Sequence, residues 1–583
     1  MSQLTAELCL PCPGAVVNDD RVSFTAFFPN VKTVHLVGDF NGWSTRRHPM
    51  REVADGWWTI ELPLGSGLFR YQFCINGKMQ ICDPYARCVK IDSRNEVCEA
   101  IVDTAVPLQP WCPEDWSAPD FRDLVIYEMH IPDFTPRGTL DTAIDRLDHV
   151  RRLGVNAIQL MPVTAVMSRN GWGYEPIGFF APNPDYGSPD ELRWFIDEAH
   201  GRGLSVLLDM VLAHSGHDHP FNRIHWYHES PWYGEGPIGK NDFGLPQFCY
   251  AKAPTRAFAR DVLRYWLEHY GVDGFRFDYI RNIGVTPKYH GIPTLIDAAR
   301  SVRDGVHLIG EHLPEDPGLM IRVGLDGAWH ARFCHALRAL LCEKSVHHYR
   351  WEDFAGAVQV LDPCHEGYGE RPSTMVNYLE SHDEDRVVWE IVRSGFDEHT
   401  ARRKSALGAT ILFTAVGQPM IYHGIEWGQN AAKDMDDAKL DWKALREPGG
   451  GGLFWHYRRL AWLRRKCRTL RTDHISLDLI LPKQKSLVYH RWDDEGGQVV
   501  VAANFSGDEQ TIDVPFPLNG GWGEFFKREV IEVAGPLRTE IGPWAAKIYV
   551  RQPGHGVLTS EACHNHFTFN VSMLKMTAFE ISL

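Results

Sequence analysis

A chain of 583 residues, 44% hydrophobic and 23% charged, is too long for one ordinary domain and has ample apolar material for several globular cores. Its formal charge of −15 argues against nucleic acid or an anionic membrane surface as a partner, and no run reaches the ~18 apolar residues of a membrane span. The opening MSQLTAELCLPCPG has neither a basic region nor a long apolar stretch, so no secretory signal is read and a cytoplasmic location is expected. Most of the thirteen scattered cysteines then read as reduced core thiols, and the lone Cys9-x-x-Cys12 pair lacks the second pair of a zinc site.

Residues 20 to 103 alternate short β segments with turns. VSFTAFFP, TVHLVGDF, GWWTIELP and FRYQFCING are separated by Gly, Pro, Asn and Asp, which predicts a β-sandwich over about 1–105. Trp43, Trp57 and Trp58 there are either a sugar-stacking platform or core. From about 121 the pattern changes. Apolar runs such as LVIYEMHI, NAIQLMPV, LSVLLDMVL, VDGFRFDYI and VHLIGEHL alternate with amphipathic helical ones such as SPDELRWFIDEAHGRG and RAFARDVLRYWLEHYG. STMVNYLESHD and GQPMIYHGIEWG continue the series. Such alternation implies a parallel sheet with covering helices. About eight units predict a (β/α)8 barrel over 106–469, with a doubly wound open sheet as the structural alternative. Residues 470–552 return to β texture (SLVYHRW, QVVVAANFS, AAKIYVRQ) and predict a second sandwich. The tail 553–583, with Cys563, His564 and His566, has no clear pattern and reads as a loose terminal segment.

In a barrel the chemistry lies at the C-terminal strand ends. Asp209 and His214 follow the third apolar run, Arg276 and Asp278 the fourth, Glu311 the fifth, and His382 and Asp383 the seventh. In GFRFDYI, Arg276 and Asp278 stand two residues apart, on one side of a strand, where a buried charge must be paired or put to use. Three carboxylates at one mouth with an Arg and two His suit glycoside chemistry. One carboxylate attacks the anomeric carbon, a second protonates the leaving oxygen, and retention of configuration places those two about 5 Å apart. Arg276 is expected to hold Asp278 ionised by lowering its pKa. A structural Arg–Asp pair is the plain alternative. His214, His217 and His219 in HSGHDHP read either as a metal-binding loop or as solvated histidines.

At these residues the barrel resembles the α-amylase family, glycoside hydrolase family 13. DMVLAH, GFRFDYIRN, GEH and ESHD resemble its four signatures in order, and GWGYEP and GQPMIYHGIEWGQ are further likenesses. VHLVGDFNGW, YQFCINGK and DPYA resemble carbohydrate-binding module family 48. The resemblance implies Asp278 as nucleophile, Glu311 as general acid/base and Asp383 as transition-state stabiliser. Arg276 would orient Asp278, His214 and His382 would bind sugar hydroxyls, Tyr174 would stack on the sugar, and Asp209 would support them. A short B domain at about 215–255 follows, whose HWYHESPWYG offers aromatic surfaces for glucose units, and the cleft is expected to be open. No cofactor is required, and Ala213 stands where many members carry an Asn that ligates a structural calcium. The implied activity is retaining cleavage of α-1,4 bonds, with α-1,6 bonds left open, in starch, glycogen, maltodextrin or cyclodextrin. The α-glucan is the expected partner. A branching enzyme or other transglycosylase of the same fold is the alternative, and an inactive glycogen-binding protein a minor one. After Asp383, Glu384 is similar to branching enzymes and Arg386 to hydrolases.

Overall fold

The computed structural model describes residues 13–18, 21–106, 116–168, 172–225, 227–434 and 438–551. Cys9, Cys12 and the tail with Cys563, His564 and His566 lie outside the described residues.

Eight parallel strands close into a barrel: β1 Ile126–Met129, β2 Ala157–Leu160, β3 Ser205–Met210, β4 Gly274–Phe277, β5 His307–Gly310, β6 Gly327–His330, β7 Met375–Asn377 and β8 Gln418–Tyr422. β8 pairs back onto β1, Met420 opposite Ile126, so the open-sheet alternative does not apply. Every strand residue is buried, which is why these segments read as continuous apolar runs rather than as alternating ones. Inside the barrel Ile126, Ala157, Leu207, Ile309, Val376 and Met420 form one packed cluster. It is a floor, and polar side chains at the strand ends stand above it.

The covering helices include α1 Pro189–Gly201, α2 Ala253–Tyr270, α3 Gly291–Val302, α4 Ala331–Cys342, α5 Glu398–Thr414 and α6 Pro448–Lys466. α1 shows why the sequence starts a helix where it does. Ser188 accepts from the Glu191 backbone N–H, the Glu191 carboxylate accepts from the Ser188 N–H, and Pro189 takes the first turn, where its missing donor costs nothing. Leu192, Phe195, Ile196 and Ala199 then face the core at helical spacing. No helix among the described residues is long and apolar enough to cross a membrane.

Before the barrel, a four-stranded sheet (Gly14–Asn18, Arg21–Phe27, Trp57–Pro63, Arg51–Ala54) and a second sheet built on Val34–Gly38, Leu68–Ile75, Val97–Asp103 and Val89–Asp92 enclose their own apolar core. Tyr85 fastens this unit to the barrel, stacking on Phe180 at 4.7 Å and donating to Asp261 at 3.1 Å. Trp58 is buried, with its Nε1 donating to the Phe28 carbonyl, and Trp57 packs on Phe27. Only Trp43 of the three tryptophans lies half-buried over an arginine, Arg70 at 5.8 Å, so they do not form one platform.

After the barrel, a six-stranded sheet faces a two-stranded one. Its strands alternate between two cores. Leu487, Tyr489, Val499 and Val501 join the barrel helices, whereas Val488, Val500 and Ala502 face the second sheet. The described cysteines are free thiols, Cys74, Cys82, Cys334, Cys342 and Cys467 among them buried.

Candidate active site

Arg276 is the centre of the arrangement. The end of β4 carries its guanidinium into the mouth with no exposure at all. Nη1 donates to both oxygens of Asp209 (2.8 and 2.7 Å) and to Asp278 Oδ1 (2.9 Å). Nη2 lies 2.9 Å from Glu311 Oε2. The planar group rests 4.2 Å from the Trp329 ring at the end of β6. Three strands thus deliver three carboxylates to one cation, and register fixes them: Asp209 pairs across from Arg276, and Asp278 and Glu311 follow β4 and β5 directly. Tyr279, next to Asp278, takes left-handed backbone (φ 48°) and donates its N–H to Glu311 Oε2 at 3.1 Å. A bulky residue in that region marks local strain retained by its surroundings.

Burial pushes the Asp278 carboxyl well above the usual range. Arg276 opposes this, and Glu311, Asp209 and Asp383 reinforce it. The sequence-based expectation of a lowered Asp278 is therefore corrected in direction. Arg276 does pull downward, but one guanidinium shared among three buried carboxylates does not offset their burial and mutual repulsion. Asp209 is raised too, again by burial first. A cluster of this kind keeps a proton.

Across the mouth lies a second pair. Asp383 is the open member, its side chain 46% exposed, with Oδ2 at 3.3 Å from His382 Nε2. Burial acts to raise its pKa, yet His382, Arg276 and Lys433 outweigh that and the net direction is down. His382 is buried between a stacked Tyr174 ring (5.0 Å, 21°) and an edge-on Trp172. Burial lowers it, but Asp383 and Glu128 more than compensate and push it up to about 9. It therefore stands as an imidazolium at neutral pH.

His214 is the opposite case. Burial pushes it down to about 4, so it is neutral. Its Nε2 lies 2.9 Å from the Tyr174 carbonyl, which only accepts, so Nε2 carries the proton and Nδ1 is a bare acceptor without a partner among the described residues. Tyr174 donates to Asp209 at 2.6 Å, and burial raises its phenol. All eight residues singled out from the sequence thus lie around one mouth: Asp209, Arg276, Asp278 and Glu311 in direct contact, Tyr174, His214, His382 and Asp383 joined to them in a chain.

Other expectations change. His219 is buried among Phe179, Phe221 and Phe248 and accepts from the Phe221 N–H. His217, two residues before it, is exposed. Among the described residues no group of three His, Cys, Asp or Glu is placed to hold a metal. In HWYHESPWYG, Trp232 lies flat on Phe221 (3.8 Å, 4°) and Tyr233 is fully buried, so both are core rather than sugar surface. Trp226 lies outside the described residues.

Sequence reasoning missed three residues. Glu128 in β1 spends both oxygens on His382, 2.8 Å from Nδ1 and 3.2 Å from the backbone N. A lone carboxylate in an apolar run was the available sign. Lys433 spans the Asp383 carbonyl at 2.7 Å and the face of Trp172 at 5.3 Å. Phe243 is 63% exposed, beside Tyr279 and His214.

Comparison with known proteins follows the two-part architecture. Residues 13–86 match carbohydrate-binding module 48 (isoamylase N-terminal domain), and 113–233 and 217–449 match the alpha amylase catalytic domain. The chain is 28% identical over 435 residues to a malto-oligosyltrehalose trehalohydrolase of Arthrobacter ramosus, covering 70% of this chain and 73% of that one. It is 28% identical over 599 residues to a 1,4-alpha-glucan branching enzyme of Methylococcus capsulatus, covering 92% and 77%. Among solved structures it shares its fold with the catalytic module of the pneumococcal glycogen-degrading virulence factor SpuA (TM-score 0.77, 18% identity, 93% of this chain and 97% of that one). A catalytic-domain match over more than half of its length makes this chain a member of the alpha-amylase family.

Proposed function

We propose that this protein is a cytoplasmic, retaining α-glucan hydrolase that works by double displacement. Asp278 attacks the anomeric carbon while Glu311, as general acid, gives a proton to the leaving glycosidic oxygen. Glu311 then takes a proton from water as that water displaces Asp278 and releases the sugar. His382 donates to a sugar hydroxyl beside Asp383, and His214 is the second histidine of the mouth that would bind one. Asp383, ionised, faces the positive charge that develops on the sugar ring. Tyr174 stacks on the ring. Every step is supplied by carboxylates and histidines, so no cofactor is required. Ala213 offers no side-chain oxygen for a calcium.

The observation that carries this reading is the Arg276 guanidinium, which joins Asp278 through one nitrogen and Glu311 through the other. That shared cation keeps the two carboxyl groups close together, as the short separation of a retaining pair requires, so that they can flank the scissile bond. The open side of Asp383 admits water.

Transfer to a sugar hydroxyl is the second reading, favoured by the branching enzyme that aligns over 92% of this chain. Incubation with amylose, following reducing ends and iodine colour together, separates the two. Rising reducing ends with fading colour mean hydrolysis. Fading colour without new reducing ends means transfer and overturns the first reading.

A further inference from the structure

A cavity of about 890 Å³, lined by none of the catalytic residues, opens between α5, α6 and the C-terminal sheets. That is the size of a small-molecule site. Its walls are basic in a chain of net charge −15. Arg403 of α5, Lys527 and Lys547 line it together with Arg459 and Arg538. Arg403 donates to the Pro543 carbonyl at 2.6 Å and Lys547 Nζ to Thr539 Oγ1 at 2.8 Å. Neither of these two, nor Lys527, makes an ion pair among the described residues.

Glu524 and Glu540 in the wall favour the charge of Lys547, but neither forms an ion pair with it among the described residues. Glu509 and Glu540 are exposed, and the buried Glu524 accepts from the backbone N–H of Lys527 rather than from an ammonium. Lys547 is pushed below its ordinary value, by burial first and by the charge of Lys527 second. Two ammoniums crowd each other, and a dianion between them relieves both. Ring faces complete the wall, with His456 stacked on Phe526 (5.0 Å, 17°) and Trp544 nearby.

We propose that this cavity binds a phosphate group, free or carried by a hexose, at a site separate from the catalytic mouth. Lys547, Lys527 and Arg403 take the phosphate oxygens through charge-assisted hydrogen bonds, and the rings and threonine hydroxyls of the wall accept a sugar body.

Calorimetric titration of the full-length protein with glucose 6-phosphate, inorganic phosphate and glucose tests this without any turnover, so its outcome is independent of whether the enzyme hydrolyses or transfers. Saturable binding of a phosphate compound is expected, unchanged in Asp278→Asn and weakened roughly tenfold or more in Lys547→Met. Lys527→Met, at an exposed position, gives the same readout should Lys547→Met not fold. Tighter glucose 6-phosphate than phosphate names the sugar phosphate as ligand; equal binding names the free anion. No saturable binding of either, glucose binding as tightly as its phosphate, or full affinity in both lysine variants overturns the proposal.

Discussion

The two ends of the barrel bury arginines in opposite company. At the C-terminal mouth Arg276 meets three carboxylates, and its pKa is pushed up by Asp209 and Glu311 against the pull of burial. At the other end, Arg464 of α6 and Arg491 of the C-terminal sheet meet backbone carbonyls. Arg464 donates to Ala415 at 2.8 Å and to Gly417, just ahead of β8. Arg491 donates to His474 and Thr414 at 2.6 and 2.7 Å. Burial, with each other's charge for Arg464, pushes both below their ordinary range, Arg491 down to about 10. Carbonyls satisfy donors but cannot neutralise charge, so these two arginines tie α6 and the C-terminal sheet to the barrel. Carboxylates in excess of their cation store charge and a proton, which is useful only where something reacts. Burial alone does not distinguish the two ends; the partners do.

Substitutions at the two ends should separate into activity and stability. Asp278→Asn is expected to remove activity on amylose by a factor on the order of 10⁴ or more. Its melting temperature should hold or rise. A carboxyl raised in the fold costs stability once ionised, at pH above its unfolded value, and Asn removes that cost. Activity within tenfold of the parent would break the comparison at its catalytic end. Arg464→Met should do the reverse. Leaving buried carbonyls without donors costs about 2–5 kcal/mol in denaturant unfolding, with kcat per folded molecule unchanged. Equal unfolding free energies would show that the lower arginine is not a tie.

Glu128 sharpens the comparison at the mouth itself. With Asp383 it raises His382, while burial and Arg276 lower it. A histidine raised in the fold contributes stability in full below its unfolded value near 6.5 and loses it as pH rises through about 9. The donor role should fail in the same window, giving the activity profile an alkaline limb near pH 9. Glu128→Gln keeps an oxygen for Nδ1 but removes the charge, so the limb should move toward neutrality, with about tenfold lower kcat at pH 8. Glu128→Asp should restore the limb in part. An unmoved limb in Glu128→Gln would assign Glu128 to packing alone.

The same contrast explains what the sequence made legible. Residues that terminate an apolar run, such as Asp209, Asp278 and Glu311, are visible because a charge there is expensive and positions on successive strands converge when the barrel closes. Glu128 was harder, lying inside its run with a partner, His382, from β7's loop, 254 positions away. The pKa of Asp278 was not legible at all, because Arg276 is adjacent in sequence while the competing Asp209 and Glu311 arrive from other strands. The buried Trp232 and Tyr233 were misread for a related reason. An aromatic-rich loop looks like a binding surface until Phe221, from a neighbouring turn, is seen stacked on it. The sixth strand, Gly327–His330, is no shorter than its neighbours, but its sequence GAWH holds no Val, Ile or Leu to mark it as a strand.

Phe243 gives the smallest expected effect and the finest test of the mouth. An exposed phenylalanine needs no explanation when it is on a loose loop. This loop is pinned: Asn241 accepts from the backbone N–H of Phe243 and of Leu245 at 3.1 Å and donates to the Leu245 carbonyl at 2.9 Å. The ring is thus held 5.3 Å from Tyr279 and 6.0 Å from His214, presenting its face beside the site without burying it. Stacking on a sugar beyond the reacting one would be worth about 0.5–1.5 kcal/mol, a two- to tenfold factor. It acts on binding equally before and during reaction. Phe243→Ala should therefore raise KM for amylose by that factor with kcat unchanged, and should leave short oligosaccharides that end at the reacting bond unaffected. A fall in kcat with KM constant would place Phe243 among the groups that support Tyr279 and, through its backbone N–H, Glu311.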